Sequence, residues 1–204
     1  MGFIEKFSGV FLIAGILMFF SAVIGLAAIP VWMLDRTQAW QDVAREVPED
    51  FKDDFKTVDE YKAALFKGRD LYIAEACWHC HSQFVRPTAN ESLRYGPVSM
   101  PGESQNALNL PQLFGTRRVG PDLSRESGKK SNDWQYAHLY KPTNVVPQSV
   151  MPSYSWYFEI KDNVPVPKYE AKAIVAYLQW LGSTVKDRKE SEYDFEQEQL
   201  PPRQ

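Results

Sequence analysis

The stretch EACWHCHSQ, residues 75–83, contains both cysteines of the protein and two of its three histidines. Cys77, Cys80 and His81 form the pattern C-x-x-C-H, which is the attachment pattern of c-type haem. A step of three residues at a helix end carries both sulfurs to one edge of a porphyrin, where each thiol can add to a vinyl group. The next residue, His81, is then carried under the ring, where an imidazole nitrogen binds iron. The motif predicts one covalently attached haem c.

Two other uses of a C-x-x-C pair remain open at this point. A redox disulfide is one, although no parallel-sheet pattern surrounds the cysteines. Half of a zinc site is the other, although the chain has no second cysteine pair and only one distant histidine, His138. His79 is expected to point away from the iron when His81 binds. We interpret His138 as a structural or interface histidine rather than a second iron ligand.

The second axial ligand is predicted to be a methionine, as is common in cytochromes that transfer electrons. Outside the N-terminal apolar segment only Met100 and Met151 qualify. Met151 lies after the haem motif and before the last predicted helix, which is the usual order in small cytochromes c. We predict ligation by Met151, with Met100 as the alternative ligand and core filling as the alternative role of Met151.

The sequence GPDL, residues 120–123, supplies a further candidate. A Gly-Pro turn in cytochromes c commonly offers a backbone carbonyl to the second ring nitrogen of the proximal histidine, so the carbonyl of Pro121 is predicted to fix the tautomer of His81. Arg117 and Arg118 precede this turn and are candidates to pair with haem propionates. They are equally well explained as surface charges.

The composition fits one modest globular domain and an anchor. The chain has 204 residues, a net charge of −3 and 14% aromatic residues, and it lacks the basic stripe of a nucleic-acid binder. No charged residue occurs from Ser8 to Leu34, and roughly 20 apolar residues are enough to span a bilayer as a helix. We predict an uncleaved membrane anchor in contact with lipid, with a cleaved signal peptide as the alternative.

The fold is predicted to be mainly α, with one N-terminal transmembrane helix and a class I cytochrome c-like helical domain with long loops. The sequence TVDE, starting at Thr57, predicts a capping box before a helix whose apolar face holds Tyr61, Leu65, Tyr72 and Ile73. A short helix is predicted near residues 133–139. A last helix is predicted with Ala171, Ile174, Val175, Leu178 and Leu181 on one face and Gly182 after its end. The predicted divisions are an N-terminus and anchor over 1–34, an acidic solvated linker over 35–56, the haem domain over 57–183 and a mobile acidic tail over 184–204.

Several segments together resemble a known family. They are GRDLYIAEACWHCHSQFVRP (68–87), RYGPVS (94–99), GPDLSR (120–125), DWQYAHLYKPTNVVPQSVMPSYSWYF (133–158) and AIVAYLQWLG (173–182). They resemble the membrane-anchored monohaem subunit II of cbb3-type cytochrome c oxidases, the FixO/CcoO family. The resemblance implies a cytochrome c domain with His81 and Met151 as axial ligands, docked on a haem-copper catalytic subunit.

Membership would make the chain an electron relay and not itself a catalyst. It would pass single electrons from a second cytochrome c subunit or a soluble cytochrome c to the low-spin haem of a catalytic subunit that reduces oxygen and pumps protons. Haem attachment of this type occurs outside the bacterial cytoplasm, so the chain is expected to cross the inner membrane once, with its C-terminal domain in the periplasm. Arg94, Tyr95 and Gly96 are predicted to contact the catalytic subunit, the alternative being ordinary packing of their loop. The monohaem subunit of a nitric oxide reductase and a haem-based gas sensor are the alternative functions.

Overall fold

The computed structural model describes residues 2–33, 43–88, 90–100, 103, 107–109 and 111–183. The described part of the chain is mainly helical, as predicted, with one antiparallel pair of strands. The helices are α1 Phe3–Lys6, α2 Ser8–Val23, α3 Ile29–Met33, α4 Val58–Ala74, α5 Cys77–Cys80, α6 Glu91–Tyr95, α7 Asn132–Tyr140 and α8 Tyr169–Trp180. The strands are β1 Phe158–Lys161 and β2 Val164–Pro167. The predicted tail over 184–204 lies outside the described residues.

The N-terminal apolar helix is long enough to cross a membrane. It runs over Ser8–Ala28, and its last turn, Ile24–Ala28, is a π-helix that leads into α3. Pro30 explains the wide turn, because proline has no N–H to donate to the preceding turn and its ring crowds a carbonyl there. The prediction of a candidate membrane anchor is confirmed in length and composition.

The core of the globular domain is the crossing of α4 and α8, the first and last long helices of the domain. Tyr61, Leu65 and Tyr72 of α4 are buried as predicted, whereas Ile73 is exposed. On α8 the predicted apolar residues are all buried. The crossing is close because Gly68 has no side chain: a Cβ there would lie 2.1 Å from the carbonyl oxygen of Ala173.

The ends of these helices follow the predicted capping chemistry. The Thr57 hydroxyl accepts a hydrogen bond from the Glu60 N–H at 3.2 Å, and the Glu60 carboxylate accepts one from the Thr57 N–H at 3.3 Å. This reciprocal pair is the capping box expected at the start of α4. After α8, Gly182 adopts a φ of +79°, the left-handed conformation that favours glycine after a helix end.

Residues 43–56 differ from the expectation of a solvated linker. Val43, Phe51 and Phe55 are buried and belong to the core cluster. Phe51 and Phe55 both pack on Tyr61, with ring centroids 5.8 and 5.9 Å away. The carbonyl of Val43 accepts a hydrogen bond from the indole N–H of Trp180 at 2.9 Å. The folded domain therefore extends at least to Val43, because the burial of three widely spaced apolar residues outweighs the solvation of the acidic residues between them.

The β1–β2 hairpin was not predicted. Its strands pair antiparallel from Phe158 opposite Pro167 to Lys161 opposite Val164. Asp162 and Asn163 form the turn with φ values of +50° and +62°, as a two-residue hairpin turn requires. Two prolines in β2 hide the strand pattern in the sequence.

We expect Gly68→Ala to destabilise the domain by about 3 kcal/mol, because the added methyl group must push α4 away from α8. The measurement is chemical unfolding of the haem-loaded chain. Lys67→Ala is the matched control, since Lys67 is exposed on the same helix and its replacement should change stability by less than about 0.5 kcal/mol. A Gly68→Ala variant as stable as the control would show that the helices are not held this closely.

Candidate functional site

The C-x-x-C-H sequence forms a separate helical turn, α5, immediately after α4. Ala76 lies between the two helices and has a φ of +56°. The chain therefore changes direction directly before the first cysteine. Cys77 and Cys80 lie on this single turn as half-buried free thiols. His81 ends the turn with a φ of −114°. The local geometry thus presents two thiols and the following imidazole from one short element.

The imidazole of His81 is oriented by the residue predicted for that role. Its Nδ1 lies 3.0 Å from the carbonyl oxygen of Pro121. Because a carbonyl only accepts hydrogen bonds, Nδ1 carries the proton and the lone pair of Nε2 is free to bind a metal. Burial lowers the pKa of His81, and the Pro121 carbonyl and the Asp122 carboxylate oppose that effect. The backbone carbonyl of His81 also accepts a hydrogen bond from the Tyr72 hydroxyl.

Gly120 provides the space that the His81 ring occupies. A Cβ at this position would lie 2.2 Å from Cε1, 2.5 Å from Nδ1 and 2.6 Å from Nε2 of the His81 ring. Any other residue would therefore displace the ring or the loop. Within GPDL only Pro121 was predicted to have a role, because the sequence does not show how close Gly120 lies to His81.

The loop around Gly120 is fixed to the motif by main-chain hydrogen bonds. These run from Gln83 N to Leu113 O at 2.9 Å, Arg117 N to His79 O at 3.2 Å, Gly120 N to Cys80 O at 3.1 Å and Leu123 N to Ser82 O at 2.9 Å. Gly115 lies within this contact, where a Cβ would be 2.6 Å from the Trp78 carbonyl oxygen. The carbonyl that holds His81 is thus part of a rigid backbone pairing.

The segment that contains Met151 lies on the domain core. The Met151 side chain is half-buried and packs against the core cluster. Three residues later, the Tyr154 N–H donates to the carbonyl of Leu139 in α7 at 2.9 Å. Burial raises the pKa of Tyr154, and the nearby Cys77 thiol raises it further, so the two side chains are neighbours. This contact brings the Met151 segment to the cysteine turn.

Met100, the alternative ligand, has a different environment. Its side chain is 37% exposed, and its N–H and carbonyl are both bound to Glu103 within the same loop. These contacts favour Met151 as the ligand, which remains a prediction.

Two further histidines have distinct surroundings. The ring of His79 stacks on Trp78 at 3.9 Å. His138 stacks on Trp134 at 4.7 Å, and its Nδ1 is buried without a hydrogen-bond partner in the described chain. Burial lowers the pKa of His138 and the charge of His81 lowers it further, so His138 lies in the same part of the domain as the motif.

The two arginines before the turn differ in their contacts. Arg117 is exposed. The guanidinium of Arg118 is bound to Glu91 and Asp122 and donates to the Phe84 carbonyl at 2.7 Å. Four of its five N–H donors are thereby used within the protein. Arg117 therefore stays the proposed propionate partner, whereas the guanidinium of Arg118 is already bound within the protein.

The predicted contact segment lies at the surface beside Arg118. Arg94 is exposed, and its guanidinium lies 5.0 Å from the centre of the Tyr95 ring. The guanidinium of Arg118 lies 5.1 Å from the same ring centre. Gly96 has a φ of +95°, which favours glycine at this bend. Glu91, the partner of Arg118, was not predicted, since the two residues lie 27 positions apart and no local pattern relates them.

The alternatives to haem find no support in this geometry. Within the described ranges, no group of three or more His, Cys, Asp or Glu side chains is placed to hold a metal ion. The strand pair found there is antiparallel, so the parallel-sheet setting expected around a redox C-x-x-C pair is not seen in these ranges.

The residues present fit a haem. Two free thiols lie on one turn beside an imidazole whose Nε2 is available. A glycine leaves room for that ring, and a buried histidine nitrogen nearby has no protein partner in the described chain. A mainly helical domain with this arrangement is that of a small cytochrome.

Comparison with known families agrees with this class. Residues 43–166 match the family described as cytochrome c oxidase, mono-heme subunit/FixO. The chain belongs to this family, and it is therefore a subunit of a cytochrome c oxidase complex, with one haem and a catalytic subunit as partner. A search of curated proteins gave no match.

Proposed function

We propose that the chain is the electron-transfer subunit of a cbb3-type haem-copper oxidase. It carries one covalent haem c and relays single electrons from a cytochrome c donor to the low-spin haem of the catalytic subunit. The observation that supports this most directly is the hydrogen bond from His81 Nδ1 to the Pro121 carbonyl, which leaves Nε2 for iron. A haem c bound in this way supplies reversible one-electron exchange at its iron.

The residues of the chain have separate tasks in this proposal. Cys77 and Cys80 would hold the haem through thioether bonds, and His81, through Nε2, and Met151, through its sulfur, would bind its iron. With both iron ligands supplied by the chain, the haem would exchange electrons only, and the reduction of oxygen would belong to the catalytic subunit.

The membrane topology follows from the attachment chemistry. Covalent attachment to a C-x-x-C-H motif takes place outside the bacterial cytoplasm, which would put residues 35–204 in the periplasm. Helix α2 and its continuation would then cross the inner membrane once. The donor is a second cytochrome c subunit or a soluble cytochrome c.

The test is the haem and metal content of the complex that co-purifies with this chain from native membranes in mild detergent. Haem c with b-type haems and copper is the expected result. Haem c with b-type haem and non-haem iron, without copper, would instead indicate a nitric oxide reductase. Haem c alone would overturn the proposed docking, and rapid carbon monoxide binding to the unaltered ferrous chain would indicate a sensor.

We expect Arg94→Ala to weaken binding of the catalytic subunit, because Arg94 is exposed in the segment predicted to contact it. The measurement is the ratio of catalytic subunit to this chain after purification, together with oxygen turnover. Arg45→Ala, at an exposed arginine outside that segment, is the control and should leave both unchanged. Normal assembly and turnover in Arg94→Ala would refute docking through this segment.

A further inference from the structure

A cluster of four charged side chains lies beside the loop that contains Pro121. Its members are Arg86, Glu91, Arg118 and Asp122. Glu91 accepts hydrogen bonds from Arg86 Nε at 2.8 Å and from Arg118 Nε at 3.0 Å. Arg118 Nη1 donates to Asp122 Oδ2 at 2.6 Å. The side chains of Arg118, Glu91 and Asp122 are only 11%, 9% and 2% exposed. Arg118 therefore lies between two buried carboxylates, one on each of two separate segments.

The cluster holds both ends of the short stretch that contains the carbonyl partner of His81. Arg118 precedes Gly120 by two residues, and Asp122 follows Pro121 directly. Asp122 is itself fixed by the N–H groups of Phe84 at 3.0 Å and of Ser124 at 2.9 Å. The Pro121 carbonyl thus lies between the two anchored side chains of Arg118 and Asp122. Its orientation towards His81 depends on both.

The charges of the cluster balance only when all four are present. Burial raises the pKa of Glu91, but the hydrogen bonds from Arg86 and Arg118 outweigh it and bring the pKa to about 2. Glu91 is therefore ionised at neutral pH. Because the side chains of Arg118, Glu91 and Asp122 are shielded from water, the loss of one of these three leaves a net charge that is weakly screened.

We infer that Arg118, held beside the Pro121 carbonyl by its buried ion pairs, sets the redox equilibrium of the haem through its charge. The inference rests on the proposed haem c. The same side chain joins this loop to α6 through Glu91 and lies on the Tyr95 ring.

The sign of the charge separates this role from simple structural support. Arg118→Gln leaves an excess negative charge near the haem, which stabilises the ferric state and lowers the midpoint potential. Glu91→Gln leaves an excess positive charge and raises it. A residue that merely holds the loop together would move the potential in the same direction in both variants, because either substitution loosens the same contact.

The experiment measures midpoint potentials of the full-length, haem-loaded chain in mild detergent. We expect Arg118→Gln to shift the oxidation equilibrium about tenfold towards ferric, which is about 59 mV for one electron. Glu91→Gln should shift it towards ferrous, and the double variant should return close to the original value. Proton NMR of the ferric form should show altered hyperfine-shifted signals of the His81 ring in Arg118→Gln.

Arg125→Gln is the matched control. Arg125 is 16% exposed, binds Glu103 at 3.0 and 2.8 Å and donates to the Pro97 carbonyl at 2.8 Å. Its bonding therefore resembles that of Arg118, and these described partners lie outside the Pro121 stretch. It should change the potential much less than Arg118→Gln does.

The outcomes distinguish this inference from the proposed function. A chain purified without covalent haem would refute the haem c proposal itself. A haem-loaded, low-spin chain whose potential stays unchanged in Arg118→Gln, or moves the same way in both single variants, would refute the role of Arg118 alone.

Discussion

Met151→Ala is expected to lower the haem potential by more than about 59 mV, a tenfold change in the redox equilibrium, and to let ferrous iron bind carbon monoxide. As the proposed iron ligand, the Met151 thioether would favour the reduced state, and its loss would leave a position on the iron open. Potentiometry and the carbon monoxide difference spectrum of the full-length chain measure the two effects.

Met100→Ala is the matched control for this experiment. Met100 lies in the loop that is bound to Glu103, and its side chain is 37% exposed. Its replacement should leave the potential and the carbon monoxide spectrum unchanged. If the two variants behave in the opposite way, Met100 is the ligand and the assignment of Met151 is wrong.

Gly120→Ala is expected to displace the His81 ring. The added methyl group would lie 2.2 Å from Cε1 of the His81 ring, so the ring must turn or the loop must retreat from α5. We expect a stability loss of about 3 kcal/mol and a change in the ferric electron paramagnetic resonance spectrum, which reports the orientation and strength of the axial imidazole.

Gly115→Ala separates loop damage from displacement of the ring. A Cβ at Gly115 would crowd the Trp78 carbonyl at 2.6 Å, which belongs to the same backbone pairing but not to the imidazole. This variant should lose stability and keep the ferric spectrum. Identical spectra for the original chain and Gly120→Ala would mean that His81 is not held where the structure has it.

The elements that the sequence predicted correctly depend on local chemistry. The capping box of Thr57 and Glu60, the helix near residue 133 and the left-handed Gly182 each follow from residues close together in the chain. The partner of His81 lies forty residues away, yet Pro121 was predicted because a Gly-Pro turn beside a C-x-x-C-H motif has a known use.

The features that were not predicted depend on distant contacts. Val43 and Phe51 look like linker residues until their burial on the core is seen. Glu91 and Arg118 are 27 residues apart, and neither position shows a local pattern that relates them. The backbone of Arg118 has a φ of +49°, which only its tertiary contacts explain, because a non-glycine residue rarely adopts it alone.

The hydrogen bond between Trp180 and Val43 ties residue 43 to the folded domain and would limit how far a haem bound there can travel. Val43 is the tenth residue after Met33, the last residue of α3, so the two Cα atoms are at most about 36 Å apart in any conformation. With the apolar helix in the bilayer, the domain is tethered close to the membrane surface, and short tethers give effective concentrations of roughly millimolar. Encounter with a neighbouring subunit in the same complex is then unimolecular, and its rate does not depend on how many copies of the complex the membrane holds.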